Sequence, residues 1–315
     1  MSHALRPAKP YRSMLFVPGN KLDWMLKAPK YGSDALILDL EDSVAVPEKP
    51  EARKAVRQAI TELCSKSIGR FVRLNAWRTG FLIEDITAVA VPGLDGVILP
   101  KAEGPEDVAA LDLVLGEIEA SRGLPPGGIE ICPYAETASG LYKFYDICMA
   151  SQRIKRAGGV TGPGPGGDMS RSLGLRLGEG ATEALIFGAY SLLQARAAGI
   201  TQIEGGMTGK LDDLQLVRTI AEKSKQLGAS FASVIHPSHI PVINEVYSPS
   251  QSEIDDARGI VSTFTEATAR GEAAIRYKSM LIDYANARGA LDVLKKAEAF
   301  GIDVGTIPSI DPSGT

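Results

Sequence analysis

The sequence of 315 residues is poor in side chains that bind zinc or form disulfides, because it contains only three histidines and three cysteines. Cys64, Cys132 and Cys148 show no metal-ligand spacing and form an odd set. We therefore expect reduced thiols and a cytoplasmic location. Apart from one histidine near the N terminus, the others are His236 and His239, after the last predicted strand. This distribution disfavours zinc and any mechanism with an early-strand histidine as base.

Long apolar runs and an excess of basic residues are also absent. No stretch is long enough to span a bilayer, and the first residues, MSHALRPAKPYRS, lack the apolar core of a signal peptide. The formal net charge of -4 argues against nucleic acid or an anionic membrane as a partner. Hydrophobic residues make up 44% and charged residues 23% of the chain, which is typical of a soluble globular protein.

Short apolar segments alternate with longer amphipathic segments along most of the chain. The predicted strands are residues 13–19, 35–40, 70–75, 96–101, 129–137, 154–161, 200–206 and 232–237. Apolar strands that alternate with helices indicate a parallel sheet covered on both faces. Eight such units favour an α/β fold with a closed (β/α)8 TIM barrel. We expect residues 1–240 to form this catalytic domain and residues 241–315, with two more helical segments, to form a C-terminal helical extension.

Polar side chains follow five consecutive predicted strands at their C-terminal ends, where TIM barrels place their active sites. They are Asp39, Glu41 and Asp42 after the second strand, Arg73 and Asn75 after the third, Lys101 after the fourth, Glu136 and Thr137 after the fifth and Asp168 after the sixth. Any one of them could form a salt bridge that closes the barrel mouth. Their occurrence in five consecutive units predicts a site.

The residue types indicate a narrow range of chemistry. Carboxylates from different strands make an oxygen-rich site that suits Mg²⁺. Arg73 keeps its proton, so it would act as a fixed donor to an oxyanion. A divalent metal beside a permanent cation suits a reaction that passes through an enolate. Lys101 is interpreted as neutralising the surrounding acids, and the charged run of residues 48–57 as a solvated helix face.

Several motifs in order resemble the citrate lyase β-subunit family, which includes malyl-CoA and citramalyl-CoA lyases, within the wider group of HpcH/HpaI aldolases. The motifs are RSMLFVPGN, DALILDLEDSV, FVRLN, GVILPK, ETASG, GGDMS and VIHPSHIPVINEVYSPSQSEIDDAR. The resemblance extends over residues 12–288. It implies a Mg²⁺-dependent carbon–carbon lyase that cleaves a carboxylated 3-hydroxyacyl-CoA to acetyl-CoA and a keto acid.

The resemblance also implies roles for individual positions. Glu136 and Asp168 match the family's metal ligands, and Arg73 matches the arginine that faces the substrate carbonyls. Glu41 and Asp42 match acids that bind metal-bound waters and orient the centre.

Two further regions complete the site that the resemblance implies. Pro18, Gly19 and Lys27 lie in the block that resembles the CoA-binding region. Asp283 matches an aspartate that the C-terminal segment delivers into a neighbouring subunit, in a homo-oligomer such as a trimer or hexamer. Alternatively, Asp283 caps a helix that begins near Asn286.

The chain departs from the family pattern in two places. Residues 153–170, RIKRAGGVTGPGPGGDMS, are longer and richer in glycine and proline than the usual sixth-strand segment. The seventh-strand region has Glu204 where the family has an aspartate followed by glycine. Both regions are expected to border the substrate, so the resemblance predicts the metal centre and leaves the acyl chain open.

Three alternatives remain from the sequence alone. A citrate lyase β subunit would act on a citryl group carried by an acyl-carrier partner. A CoA-independent pyruvate aldolase is disfavoured by the missing early histidine. A non-catalytic CoA-binding relative would have retained the fold without turnover.

Overall fold

Each of the eight segments predicted as strands forms a strand in the computed structural model, which describes residues 5–159, 167–175 and 182–307. The chain divides into two compact units, Met1–Tyr247 and Ser248–Thr315. The first unit alternates strands with helices. No helix within the described ranges has both the length and the apolarity needed to cross a membrane.

The first unit contains ten of the helices and eight of the strands of the described residues. Its strands are β1 (Ser13–Pro18), β2 (Ala35–Asp39), β3 (Gly69–Arg73), β4 (Gly96–Leu99), β5 (Glu130–Pro133), β6 (Arg156–Ala157), β7 (Gln202–Ile203) and β8 (Ala232–Val234). Its helices are α1 (Leu22–Lys27), α2 (Lys49–Leu63), α3 (Leu82–Val89), α4 (Pro105–Arg122), α5 (Ala138–Tyr142), α6 (Phe144–Met149), α7 (Asp168–Leu173), α8 (Thr182–Ala197), α9 (Leu214–Leu227) and α10 (Ile240–Tyr247). Short 3-10 helices cover Ala28–Tyr31, Val46–Glu48 and Pro237–His239.

The strands of the first unit pair in parallel. Six form one sheet in the order β5-β4-β3-β2-β1-β8, and β6 pairs with β7. Isolated parallel bridges join Tyr134 to Gly158, beside β5 and β6, and Glu204 to Phe231, beside β7 and β8. The predicted α/β fold with a parallel sheet is confirmed.

The two faces of the strands pack into different clusters, as expected for strands that are apolar on both sides. Tyr11, Met14, Ile37, Phe71 and Phe231 are among the residues of one cluster, on one face of the strands. The opposite face packs against the helices in a larger cluster that runs from β1 to α10. Because both faces are buried, polar side chains accumulate at the strand ends.

The register of β1, β2 and β3 brings their C-terminal ends to the same level. Asp39 stands opposite Pro18 on one side and opposite Arg73 on the other. The backbone N–H of Leu40 donates to the carbonyl of Arg73 across 3.0 Å. The acids that follow β2 therefore lie beside the arginine that ends β3.

Helix α2 buries charged side chains against the segment that follows β2. Lys49 Nζ donates to the carbonyls of Leu40 and Glu41 at 2.7 and 2.9 Å. Arg53 Nε donates to Asp85, 2.7 Å away. Both Lys49 and Arg53 are buried. The interpretation of residues 48–57 as a solvated face was therefore wrong at these two positions, because apolar periodicity does not reveal a cation that reaches inward to backbone carbonyls.

The second unit is not purely helical, contrary to the prediction for this part of the chain. Helices α11 (Gln251–Ala269) and α12 (Tyr284–Ala299) flank an antiparallel hairpin of β9 (Ala274–Tyr277) and β10 (Met280–Asp283). The turn is Lys278–Ser279, with a positive φ of 50° at Lys278. Since hairpins of this length usually carry Asn-Gly or Asp-Gly, Lys278–Ser279 does not indicate a hairpin in the sequence.

Replacing Lys49 by Met should lower the free energy of unfolding by about 1–3 kcal/mol, because two buried carbonyls lose a charged donor. The matched control is Lys54→Met, on the same helix but with a side chain that is 73% exposed. That change should stay within about 0.5 kcal/mol of the unaltered chain. Urea denaturation of both variants measures the difference, and equal effects would contradict a role for Lys49 in holding the segment after β2.

Candidate active site

A two-pronged ion pair joins the end of β2 to the end of β3. Arg73 Nε lies 2.7 Å from Asp39 Oδ1, and Arg73 Nη2 lies 2.8 Å from Asp39 Oδ2. Burial opposes ionisation of Asp39, but the hydrogen bonds from Arg73 outweigh it and hold the pKa of Asp39 below its usual value. The guanidinium also lies over the ring of Phe16, 5.0 Å from its centre. Arg73 is therefore a fixed, permanently charged group.

Glu41 and Asp42 lie beside this pair. Glu41 Oε2 is 3.1 Å from Arg73 Nη1, and Glu41 Oε1 accepts a hydrogen bond from Lys101 Nζ at 2.6 Å. Burial raises the pKa of Glu41, while the charges of Arg73 and Lys101 oppose that rise. Asp42 is 3.5 Å from Arg73 Nη1, and its side chain is 63% exposed. Glu41 thus faces the interior of the cluster and Asp42 its solvent side.

Lys101 links the acids of three strands. Its Nζ lies 2.6 Å from Glu41 and 3.0 Å from Asp168 Oδ2, and its backbone N–H donates to Glu136 Oε2 at 3.2 Å. Lys101 therefore neutralises acids, as the sequence suggested. It also adopts a left-handed backbone conformation with φ of 49°, which is rare for a residue with a side chain and concentrates at functional sites.

Asp168 and Glu136 are the other carboxylates that contact Lys101. Asp168 begins α7, and its Oδ1 also lies 2.7 Å from Arg171. Burial, with a further contribution from the charge of Glu41, raises the pKa of Glu136 to about 8. Residues 160–166, which belong to the divergent segment before Asp168, lie outside the described residues.

These donors fit a hard divalent cation. Glu41, Glu136 and Asp168 all present carboxylate oxygens, and Glu41 Oε2 is buried without a hydrogen-bond partner among the described residues. Within the same ranges, no group of three or more histidine, cysteine, aspartate or glutamate side chains is arranged as a metal site. Mg²⁺ does not require one, because it commonly takes one or two carboxylates and completes its shell with water and substrate oxygens.

A cavity of about 450 Å³ lies at the C-terminal ends of β1 and β8. Its walls include Pro18, Trp24, Lys27, Tyr31 and His236. Trp24 is 59% exposed, which is unusual for so large an apolar ring. The aromatic rings and a lysine together suit a ligand with both an apolar part and a negative charge.

Of the residues predicted to hold CoA, Pro18 and Lys27 lie on this cavity, whereas Gly19 packs against β2. The N–H of Gly19 donates to the carbonyl of Asp39 at 2.8 Å. A Cβ at this position would lie 2.4 Å from the same oxygen. Gly19 is thus required for the close approach of β1 to β2.

Asp283 lies in the second unit and caps α12. Its Oδ1 accepts hydrogen bonds from the N–H groups of Ala285 and Asn286, and the Asn286 side chain accepts from the N–H of Asp283. The predicted capping role is confirmed, although the helix begins at Tyr284. Asp283 is exposed.

Sequence reasoning missed the residues that hold the segments of the site in place. Lys49 was assigned to a solvated face, and Asp85, which accepts hydrogen bonds from Asn75 and Arg53, was not noted. Tyr134 was not noted either, although it donates a buried hydrogen bond of 2.9 Å to Glu204, which the sequence singled out only as a departure from the family pattern. The available signal for Lys49 and Asp85 was a charged residue in a segment between predicted strands.

Comparisons with known proteins agree with the motifs. Residues 12–237 match the family described as HpcH/HpaI aldolase/citrate lyase, and residues 200–302 match that described as C-C bond lyase of the TIM-barrel fold. The citrate lyase subunit beta of Escherichia coli is 33% identical over 298 residues, which cover 94% of this chain and 96% of that protein. The L-malyl-CoA/beta-methylmalyl-CoA lyase of Cereibacter sphaeroides is 31% identical over 308 residues, covering 93% and 96%.

A solved structure is similar over the same extent. The crystal structure of CitE from Mycobacterium tuberculosis in complex with magnesium, acetoacetate and coenzyme A aligns with a TM-score of 0.70 and 28% identity. The alignment covers 93% of this chain and 100% of the CitE chain. The chain belongs to the HpcH/HpaI aldolase/citrate lyase family, as its motifs predicted.

Proposed function

We propose that the protein is a Mg²⁺-dependent carbon–carbon lyase that cleaves a carboxylated 3-hydroxyacyl-CoA, of the malyl-CoA or citramalyl-CoA type, to acetyl-CoA and a keto acid. The observation that carries the proposal is the convergence of Arg73, Glu41, Glu136 and Asp168 at one edge of the parallel sheet. The names of the relatives support it, since they include citrate lyase and malyl-CoA lyase.

Glu136 and Asp168 would hold the metal ion, and Glu41 and Asp42 would orient its water molecules. When bound, Mg²⁺ would supply Lewis-acid polarisation of the substrate's hydroxyl and neighbouring carboxylate. Magnesium is present in the similar CitE structure. The all-oxygen donor set supports the same assignment for this chain, as does Glu41 Oε2, which is buried beside Arg73 but accepts no hydrogen bond from the described residues.

Arg73 would stabilise the charge that develops during cleavage. The hydroxyl proton of the substrate would pass to the Asp283 carboxylate of a neighbouring subunit. The carbon–carbon bond would then break, the alkoxide oxygen would become the carbonyl of the keto acid, and the electron pair of the broken bond would form the enolate of acetyl-CoA. Arg73 cannot accept a proton, but its guanidinium can donate hydrogen bonds to this enolate. Because Asp39 already fixes the guanidinium, little reorganisation is needed when the charge appears.

The cavity beside β1 would receive the CoA moiety. Lys27 and the exposed ring of Trp24 are suited to a molecule that carries phosphates and an aromatic base. Pro18 lies on the same wall, and Gly19 would act indirectly through the packing of β1 on β2.

We further propose that the eight strands of residues 1–240 close into a (β/α)8 barrel. The bridges Tyr134–Gly158 and Glu204–Phe231 support closure, because they span the two gaps between the six-stranded sheet and the β6–β7 pair. Residues 241–315 would complete the site of a neighbouring subunit in a cytoplasmic homo-oligomer, such as a trimer or hexamer. Asp283 would then return a proton to the enolate.

A second candidate is a citrate lyase β subunit acting on a citryl group carried by another protein. The 33% identity to the Escherichia coli subunit favours it. The two activities differ in the thioester that they accept, so a panel of substrates separates them. A non-catalytic CoA-binding relative would bind such thioesters without cleaving them.

Purified protein with Mg²⁺ or Mn²⁺ should cleave at least one carboxylated hydroxyacyl-CoA thioester, and EDTA should abolish this activity reversibly. Glu136→Gln and Asp168→Asn should each lose metal affinity and activity while the circular dichroism spectrum is retained. Glu103→Gln is the control, because this half-buried acid pairs with Arg78 outside the cluster. Full activity in metal-free protein would contradict the proposed site.

Arg73→Lys should lower kcat by about a hundredfold, the scale of losing one oxyanion donor. Lysine keeps the charge but loses the planar fork that binds Asp39 and the enolate together. Arg218→Lys, at an exposed pair with Glu245, should leave kcat unchanged. If Arg73→Lys raises only KM, the arginine binds substrate without stabilising the transition state.

The shared site can be tested by mixing subunits. Asp283→Asn keeps a good helix cap but cannot carry a proton, and Arg73→Ala removes the enolate donor. Each variant alone should be inactive, and exchanged mixtures should regain part of the activity, because some sites then combine both intact residues. Asp213→Asn, at the exposed cap of α9, should stay active on its own. No recovery after demonstrated exchange would place Asp283 outside the neighbour's site.

A further inference from the structure

Glu204 is a buried carboxyl group that forms no ion pair with a basic residue of the described ranges. Hydrogen bonds from neutral donors, and not a positively charged side chain, satisfy its carboxyl oxygens. Its Oε1 accepts from the hydroxyl of Tyr134 at 2.9 Å, and its Oε2 accepts from the N–H of Gly159 at 3.0 Å. The hydroxyl of Ser233 lies 3.2 Å from that of Tyr134. Residues that follow β5 and β6 thus each donate to one side chain that follows β7, and Ser233 of β8 contacts the tyrosine.

The chain leaves β6 through a space that only glycine fits. A Cβ on Gly158 would lie 2.3 Å from Glu204 Oε2. At Gly159, φ is +94° and a Cβ would lie 2.6 Å from the backbone nitrogen of Ala135. Glu204 and the continuation of β5 therefore leave no room for a side chain at Gly158 or Gly159.

Tyr134, which Glu204 holds, belongs to backbone that presents a proposed metal ligand. Tyr134 stands two residues before Glu136, so the two side chains project from the same face of the extended chain. A shift of Glu204 would therefore move the backbone that carries Glu136 without touching its carboxylate.

We propose that Glu204 is a positioning residue that places Glu136 through the hydrogen bond from Tyr134. This inference rests on the proposed function, since its target, Glu136, is a proposed metal ligand. An aspartate would be one methylene shorter and could not reach Tyr134 and Gly159 together in this arrangement. The longer side chain therefore matches the glycine pair and the tyrosine that this chain carries.

The test compares two replacements of Glu204 in the full-length protein. Gln keeps an acceptor for the Gly159 N–H, and its amide can donate to the Tyr134 hydroxyl, so the network survives. Leu has similar bulk but leaves both donors unpaired. The control is Gln202→Leu, at the position on β7 two residues before Glu204. Gln202 is also buried, and its replacement removes the acceptor of a hydrogen bond from the Tyr11 N–H.

Mn²⁺ binding, followed by the electron paramagnetic resonance signal of the free ion, is the measurement, with a melting curve for every variant. Glu204→Leu should weaken Mn²⁺ binding by about ten- to a hundredfold, the usual cost of losing outer-shell support. Glu204→Gln and Gln202→Leu should bind close to the unaltered protein, even where they melt earlier. Tyr134→Phe, which removes one hydroxyl, should weaken binding in the same direction and serves if the Leu variant does not fold.

A Glu204→Leu protein that melts earlier but binds Mn²⁺ normally would overturn the inference and leave only a structural role. Normal binding in Tyr134→Phe would do the same if the Leu variant is unfolded. Absence of Mn²⁺ binding in the unaltered protein is a separate result, because it would overturn the proposed metal site together with this inference.

Discussion

The buried pair of Asp39 and Arg73 is the interaction on which the site depends. Asp39 lies almost wholly out of water, where an unpaired carboxylate would be costly. The two-pronged contact satisfies it and ties β2 to β3 in the register that the backbone already imposes. Removing one partner of such a pair costs about 3–5 kcal/mol, because the other charge stays buried. The same contact leaves Arg73 Nη1 directed at Glu41 and Asp42.

Charge balance explains why so many acids collect here. Arg73 and Lys101 form ion pairs with the acidic side chains, whereas Lys49 donates hydrogen bonds to the backbone carbonyls of Leu40 and Glu41. These cations do not remove the need for a further positive charge, since the pKa of Glu136 is raised to about 8 by burial and by the charge of Glu41. A hard dication supplies that charge without demanding more protein ligands.

Much of the fold followed from periodicity, because each apolar segment with turn residues at its ends formed a strand. The positions of the acids followed as well, since the ends of parallel strands meet at one edge. The pairing of individual acids did not follow. Asp39 forms its ion pair with Arg73, and only the register between β2 and β3 reveals this pairing. The hairpin after α11 was also missed, because Lys278–Ser279 replaces the usual glycine turn.

Different kinds of interaction support the two halves of the cluster. Around β2 and β3 the supports are charged, with Arg73, Lys49 and Asp85 each held by short hydrogen bonds. Around β5 to β8 the network centres on one carboxyl group surrounded by neutral donors. Ion pairs therefore hold the side chains around Arg73, whereas hydrogen bonds from neutral donors hold Glu204. The departures from the family motifs lie in that second half, where the chain can change without disturbing Arg73.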